Sequence, residues 1–379
     1  MNTTDLTPLP AHPSLEQYRK QAKDFVKAAK SGDSETVQRV KQYHPRPSQV
    51  VALADAQLVI AREHGFESWP KFAKHIEALT REDSSVSQFE LAADAIVAGD
   101  ASTLELLLRE NPKLVRARST RVHRATLLHY VGANGFENYR QKSPKNAVEI
   151  AAILLDAGAE VDAVADTYGK STTLSLVASS IHPKRAGVQI ALMETLLDYG
   201  AAIDGVAGAS NPLTSALRNG RREAAEFLAE RGAQLDLEAA AGVGRLDLVE
   251  SFFNDGSATT AQMNAGFQWA CESGRGSVVN LLLNKGADLH TGLHWAVVGG
   301  QLDIIKLLLE RGAPLEAKNV YGGTALGQAL WSAVNGDPGI DYVPIIETLL
   351  DRGAKIPPGS LDLVAGKARI AEVLRRHSA

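Results

Sequence analysis

One phrase recurs down this chain: an apolar helical run, a polar residue, then Gly-Ala and an aliphatic residue. It reads ILLDAGAEVDA at 153–163, TLLDYGAAIDG at 195–205, FLAERGAQLDL at 227–237, LLLNKGADLHT at 281–291, LLLERGAPLEA at 307–317 and TLLDRGAKIP at 348–357, with a degenerate copy, SFFNDGSATT, at 251–260. Each glycine falls just past an apolar run, where a left-handed backbone is cheap only for a residue without Cβ, so each marks a helix end. Upstream lie shorter segments that open on Thr or Asn: TLLHYVGANG from Thr126, TTLSLVASS from Thr172, NPLTSALRNG from Asn211 and TGLHWAVVGG from Thr291. The hydroxyl or amide can cap the free N–H groups of a second helix. Two-helix units of this kind cannot bury their apolar faces alone and must stack on copies of themselves.

These paired segments resemble ankyrin repeats, whose pattern is T-P-L-H-x-A, a second helix, then G-A-D. The resemblance runs from about Phe89 to the C-terminus, and its repetition makes it more specific than any single motif. It implies an all-α ankyrin-repeat solenoid of stacked helix pairs with short β-turn fingers and a concave surface that holds another protein. The spacing of Gly158, Gly200, Gly232, Gly256, Gly286, Gly312 and Gly353 is uneven, against an ideal of about 33 residues. Fingers are trimmed where LDLEAAAGVGRLDLV and LHTGLHWAVVGGQLDII pass almost directly into the next inner helix. Inserts sit between the two helices of a repeat at 135–145 (GFENYRQKSPK), 180–189 (SIHPKRAGVQ) and 335–344 (NGDPGIDYVP), at the edge opposite the fingers.

The expected organisation is an extended or disordered tail at 1–13, a helical module at 14–80, a junction at 81–88, the ankyrin array at 89–357 and capping helices at 358–379. Within the module, DAQLVIAREHGFESWPKF resembles the helical leader that precedes ankyrin arrays in bacterial proteins, which implies a bacterial source. A net charge of −4 over 379 residues argues against a protein-wide grip on nucleic acid or anionic lipid. The lysines at 20, 23, 27 and 30 read as a solvated helix face rather than a nucleic-acid contact. One cysteine, Cys271, leaves no disulfide framework and no Cys-based metal cage. With no apolar run of about 18 residues and no signal-peptide core at the N-terminus, a cytoplasmic monomer is expected.

Chemistry is sparse. Gly169-Lys170-Ser171-Thr172 lacks the earlier glycine of a phosphate loop, since Val164 stands there. His290 and His294 have metal-ligand spacing but fall on either side of an expected turn at Thr291-Gly292. His129 and His294 occupy the T-P-L-H histidine, to which the resemblance gives a bracing role. No catalytic motif is present, so no cofactor or metal is expected, and His129, Tyr139 and His182 are the only acid/base candidates.

Two sets of candidate binding residues stand out. Alignment on the inner-helix alanine places Tyr130, Trp269 and Trp295 at one repeat position, with Arg218, Asn219, Glu272 and Trp331 further along, toward the groove. Large aromatics there can anchor a partner protein. The second set is the inserts. Stacking should bring Tyr139, Arg140, Lys142 and Lys145 beside His182, Lys184 and Arg185, opposed chiefly by Glu137, with Asn146, Tyr168 and Gln189 nearby. Ser143-Pro144 should cap the following helix and turn its free amides the same way. The partner is then another protein or, by the alternative reading, a small molecule or anionic ligand, bound or turned over as an enzyme's substrate, at a site that 135–146 and 180–190 form facing the groove.

Overall fold

The computed structural model describes residues 6–46, 51–81 and 83–378. Of the tail expected at 1–13, residues 1–5 lie outside the described residues. The chain forms two compact units, Met1–Leu228 and Ala229–Ala379.

The first unit opens with helices α1 (Leu15–Lys30), α2 (Ser34–Tyr43), α3 (Leu53–Glu63) and α4 (Trp69–Leu79). Ser14 and Asp33 cap the first two by accepting from the amides of Gln17 and Thr36. Tyr18, Ala22 and Phe25 fall on one face of α1 and close on Val59, Ile60, Phe66, Phe72 and Ile76, as the three-to-four spacing requires. Ahead of α1 the chain is tied down: Leu6 is buried, and Thr7 N–H donates to the Glu63 carbonyl at 2.8 Å.

Next come α5 (Ser85–Ala98), α6 (Ala101–Glu110), a 3-10 turn at Leu127–Gly132 and α7 (Ala147–Asp156). The finger β1 (Val164–Ala165) pairs antiparallel with β2 (Ser171–Thr172), Val164 opposite Thr172. Then follow α8 (Thr173–Ser179), α9 (Ile181–Ala186), α10 (Gln189–Asp198), α11 (Pro212–Arg218) and α12 (Arg222–Glu230), which runs across the boundary between the units. An inner row of α5, the 127–132 turn, α8 and α11 lies beside an outer row of α6, α7 and α10. Segments 126–158 and 172–200 are therefore adjacent layers. Gly132 permits the approach, because a Cβ there would meet Leu176 Cβ at 2.9 Å.

The second unit repeats the plan. Its inner row is α13 (Leu237–Val243), α15 (Thr260–Ser273), α17 (Leu289–Val298), α19 (Ala325–Asn335) and α21 (Ser360–Leu363). The outer row is α14 (Leu246–Asn254), α16 (Gly276–Asn284), α18 (Leu302–Glu310), α20 (Val343–Asp351) and α22 (Ala368–Ser378). One apolar core runs from Ala240 to Leu374, through Phe267, Val279, Ile305, Leu326 and Ile346. Each unit is mostly helical, its helix pairs stacked in an inner and an outer row.

The Gly-Ala glycines behave as expected. Gly158, Gly200, Gly232, Gly286, Gly312 and Gly353 all have φ between 86 and 97°, and none would bring a Cβ within 4 Å of a neighbour. They are glycines for backbone conformation alone.

Two local expectations are corrected. Thr126 opens a 3-10 turn rather than an α-helix. Thr291 does not begin a helix: α17 starts at Leu289, capped by Asp288, whose carboxylate accepts from His290 N–H at 3.0 Å. With the finger trimmed, the helix begins at once, so His290 and His294 share it. They still diverge, His290 to Asp288 and His294 Nε2 to the Gly323 carbonyl at 3.0 Å.

Candidate functional site

The 135–146 insert folds inward. Its short 3-10 turn, Asn138–Arg140, points Arg140 back at α5, where the guanidinium donates to Glu90 Oε2 at 2.7 Å and Asp94 Oδ1 at 2.8 Å. Arg121 lies across Glu90 as a second cation and reaches Glu137 Oε1 with Nε at 3.0 Å. His123 Nδ1 accepts from the Ala125 amide at 3.1 Å, so its proton sits on Nε2, 3.4 Å from the same Glu137 oxygen. Arg121, His123, Glu137 and Arg140 are all buried. Burial alone would raise the Glu90 carboxyl, but Arg121 and Arg140 outweigh it and hold it near its floor, at about 2. Glu137 is likewise held well below the usual carboxylate range, by Arg121 first.

This overturns the expected open basic cluster. A lone arginine on a polar loop reads as solvated, yet Glu90 and Glu137 are buried and require cations, so Arg140 turns in to them. Ser143-Pro144 does not cap α7 either. That helix starts at Ala147, and the Pro144 carbonyl accepts the Ala147 amide at 3.1 Å. Asn146 pins the insert to the end of α5 by donating to the Gly99 carbonyl at 3.0 Å. Lys142 and Lys145 are exposed.

The second insert turns the other way. Its α9 ends with Lys184 3.4 Å from Glu223 on α12, while Arg185 is exposed. Gln189 is spent internally, donating to the carbonyls of Val177, Ala178 and Ser180. His182 is half-buried, and burial with Arg185 lowers its pKa. Tyr168, 59% exposed at the finger, donates to Asn134 Oδ1 at 3.1 Å. Among the described residues, no hydrogen bond or ion pair joins 135–146 to 180–190.

Nor do the remaining candidates form one set. His129 is fully buried, its Nδ1 accepting from the Thr126 amide at 3.1 Å, and burial pushes it down to about 3. Tyr139 is half-buried with the Arg140 guanidinium 5.7 Å from its ring centre. Tyr130 is core rather than groove, packed on Phe136 at 4.8 Å. Arg218 and Asn219 are exposed in the first unit.

In the second unit the aromatic candidates grade outward. Trp269 is half-buried, Trp295 is 39% exposed and Trp331 is 54% exposed. Matching Ala296 with Ala329 puts Gln328 at the Trp295 position, and Trp331 stands three residues on, on the same side of its helix. Helices α17 and α19 are neighbours. Between α18 and α19 the one full finger of this unit carries Val320 and Tyr321, 93% and 92% exposed. Its backbone is fixed by Asn319, whose side chain accepts from the amides of Tyr321 and Gly323, both at 3.0 Å. The only sequence signal for this apolar tip is its place where a repeat of ordinary length keeps its finger.

Residues 237–319 and 267–358 match the family model described as ankyrin repeats, in three copies; these segments are ankyrin repeats. Among solved structures, the human ASB11 ankyrin repeat domain is similar at 23% sequence identity, over 70% of this chain and 98% of that chain, with a TM-score of 0.38. No curated protein matches. No described helix is long and apolar enough to cross a membrane.

Proposed function

We propose that this chain is a docking protein whose second unit holds a partner protein against its inner helices and remaining finger. The observation that supports this reading is the display of Trp295, Trp331, Val320 and Tyr321 at neighbouring elements, with the exposures given above. Apolar groups this large, left in water on a rigid frame, are what interface hot spots are made of. A partner that seats an apolar helix or strand over them removes that area from water while the stacked repeats lose almost no entropy. Ankyrin repeats generally serve protein–protein interaction, in keeping with this reading. We place the chain in the cytoplasm as a monomer, working without a cofactor.

The test is affinity capture with purified protein, comparing wild type with the Trp295→Ala/Trp331→Ala double variant, followed by titration of each captured protein in purified form. A true partner binds the double variant at least about thirtyfold more weakly, the loss of one hot-spot aromatic at about 2 kcal/mol, and about a thousandfold more weakly where the two contributions add. If every captured protein binds both forms alike, the inner face is not the docking surface.

A further inference from the structure

A cleft of about 550 Å³ opens in the first unit between α4, the turn at 119–125 and the β1–β2 finger. That volume suits a small ligand. Its wall is apolar at Ala78, Val86 and Val122, and its mouth is edged by Lys71, Lys74 and Arg124, with Glu67 and Asp166 as the acids. Glu67 pairs with Lys71. Among the described residues no ion pair engages Lys74 or Arg124, so the mouth keeps positive charge on a protein whose net charge is −4.

The walls are fixed before any ligand arrives. Val122 N–H donates to the Gly65 carbonyl at 3.0 Å, Asp166 N–H to the His123 carbonyl at 2.7 Å, and Arg118 to the Arg124 carbonyl at 3.0 Å. Arg124 itself is held at φ 52°, a left-handed conformation that costs a non-glycine residue about 1 kcal/mol and is concentrated at functional sites. Arg121 fills part of the floor, already neutralised by Glu90 and Glu137.

Beside it, His75 is buried, with Nδ1 2.8 Å from Thr120 Oγ1 and with Nε2 unpartnered among the described residues. A buried N–H without an acceptor is costlier than an unused lone pair. The ring proton therefore sits on Nδ1 and donates to Thr120, whose own hydroxyl hydrogen is free for another acceptor. Burial, with Arg121 nearby, pushes His75 down to about 4, so the ring is neutral at physiological pH.

We propose that this cleft binds a small organic anion, a phosphate or carboxylate head on a short apolar body, held by Lys74 and Arg124 at the mouth and by the Thr120 hydroxyl. The apolar wall takes the body; the cations and the hydroxyl take the head. This is a separate site from the docking face of the second unit, and either can fail without the other.

Calorimetric titration of the full chain with phenyl phosphate and with benzoate, against phenol and inorganic phosphate, tests it. At least one aromatic anion binds saturably, phenol and inorganic phosphate bind at least about tenfold more weakly, and the tighter anion identifies the head. Lys74→Glu/Arg124→Glu weakens that binding by about a hundredfold, one decade for each charge-assisted hydrogen bond removed. Thr120→Val weakens it by about tenfold, while Thr120→Ser keeps it. In the unaltered protein the ring nitrogen resonances of His75 shift with the bound anion and not with phenol. Binding of neither anion, equal binding of phenol, indifference to the charge reversal in a variant of native circular dichroism, or a silent His75 would each overturn the proposal.

Discussion

Arg140 contacts Glu90 and Asp94 with almost no exposure to solvent. Removing its guanidinium leaves Glu90 buried with Arg121 as its one remaining cation partner. Breaking a buried ion pair from one side is costly even where the whole pair adds little net stability, because the surviving charge is no longer compensated. Arg140→Met keeps most of the side chain's volume, so the loss reports the charge. It should lower unfolding free energy by about 3 kcal/mol, measured by urea denaturation at neutral pH. Lys142→Met, two residues on and exposed, should change it by less than about 0.5 kcal/mol. Similar small effects from both would mean that the carboxylates under Arg140 are solvated.

At the scale of elements, two helix ends separate backbone strain from packing. Gly99 closes α5 with φ 77°, and a Cβ there would run into Asn146 Oδ1 and lie 2.8 Å from Pro144 Cβ. Gly158 follows α7 with φ 90° and open space where its Cβ would go. Both alanine variants incur the left-handed penalty of about 1 kcal/mol, but only Gly99→Ala must also push the insert off α5. It should cost at least about 1 kcal/mol more than Gly158→Ala by thermal denaturation, from overpacking, and should speed amide exchange across 135–146. Equal costs would show that the insert is loosely seated. The contrast explains what was legible in the sequence. The Gly-Ala helix ends and the stacked layers were, because helix periodicity and C-cap glycines are local signals. The direction of each insert was not: Arg140 obeys Glu90, fifty residues earlier, and no local pattern connects them. Likewise the cap of α17 moved from Thr291 to Asp288 because trimming a finger removes the turn that would have delayed the helix. Trp331 could be read as exposed from its repeat position, whereas Tyr130 went inward because Phe89 and Phe136 surround it.

At the scale of the whole molecule, buried charge is confined, among the described residues, to one unit. Glu63, Glu90, Arg121, Glu137 and Arg140 are buried in Met1–Leu228, together with the neutral histidines His75 and His129, while the buried polar groups described in Ala229–Ala379 are Ser273, His294, Ser332 and Ser360. Stability in a repeat protein is set by each repeat and its neighbours, so acid should act locally. The folded chain holds His75 at about 4 and His129 at about 3, against 6.5 for the free side chain. Unfolding lets both take a proton. Their contribution is therefore complete above pH 6.5 and is lost as pH falls toward 4 for His75, up to about 3 kcal/mol, and toward 3 for His129. Glu90 adds to the loss with the same sign, its depressed carboxyl stabilising the fold above pH 4.5 and less and less as pH falls toward 2. Hydrogen exchange at stepped pH between 7 and 4 should then show protection falling first in α4, α5 and the 127–132 turn, while α15, α17 and α19 hold theirs. If both units lose protection together, the buried histidines His75 and His129 are not what governs acid stability in this range.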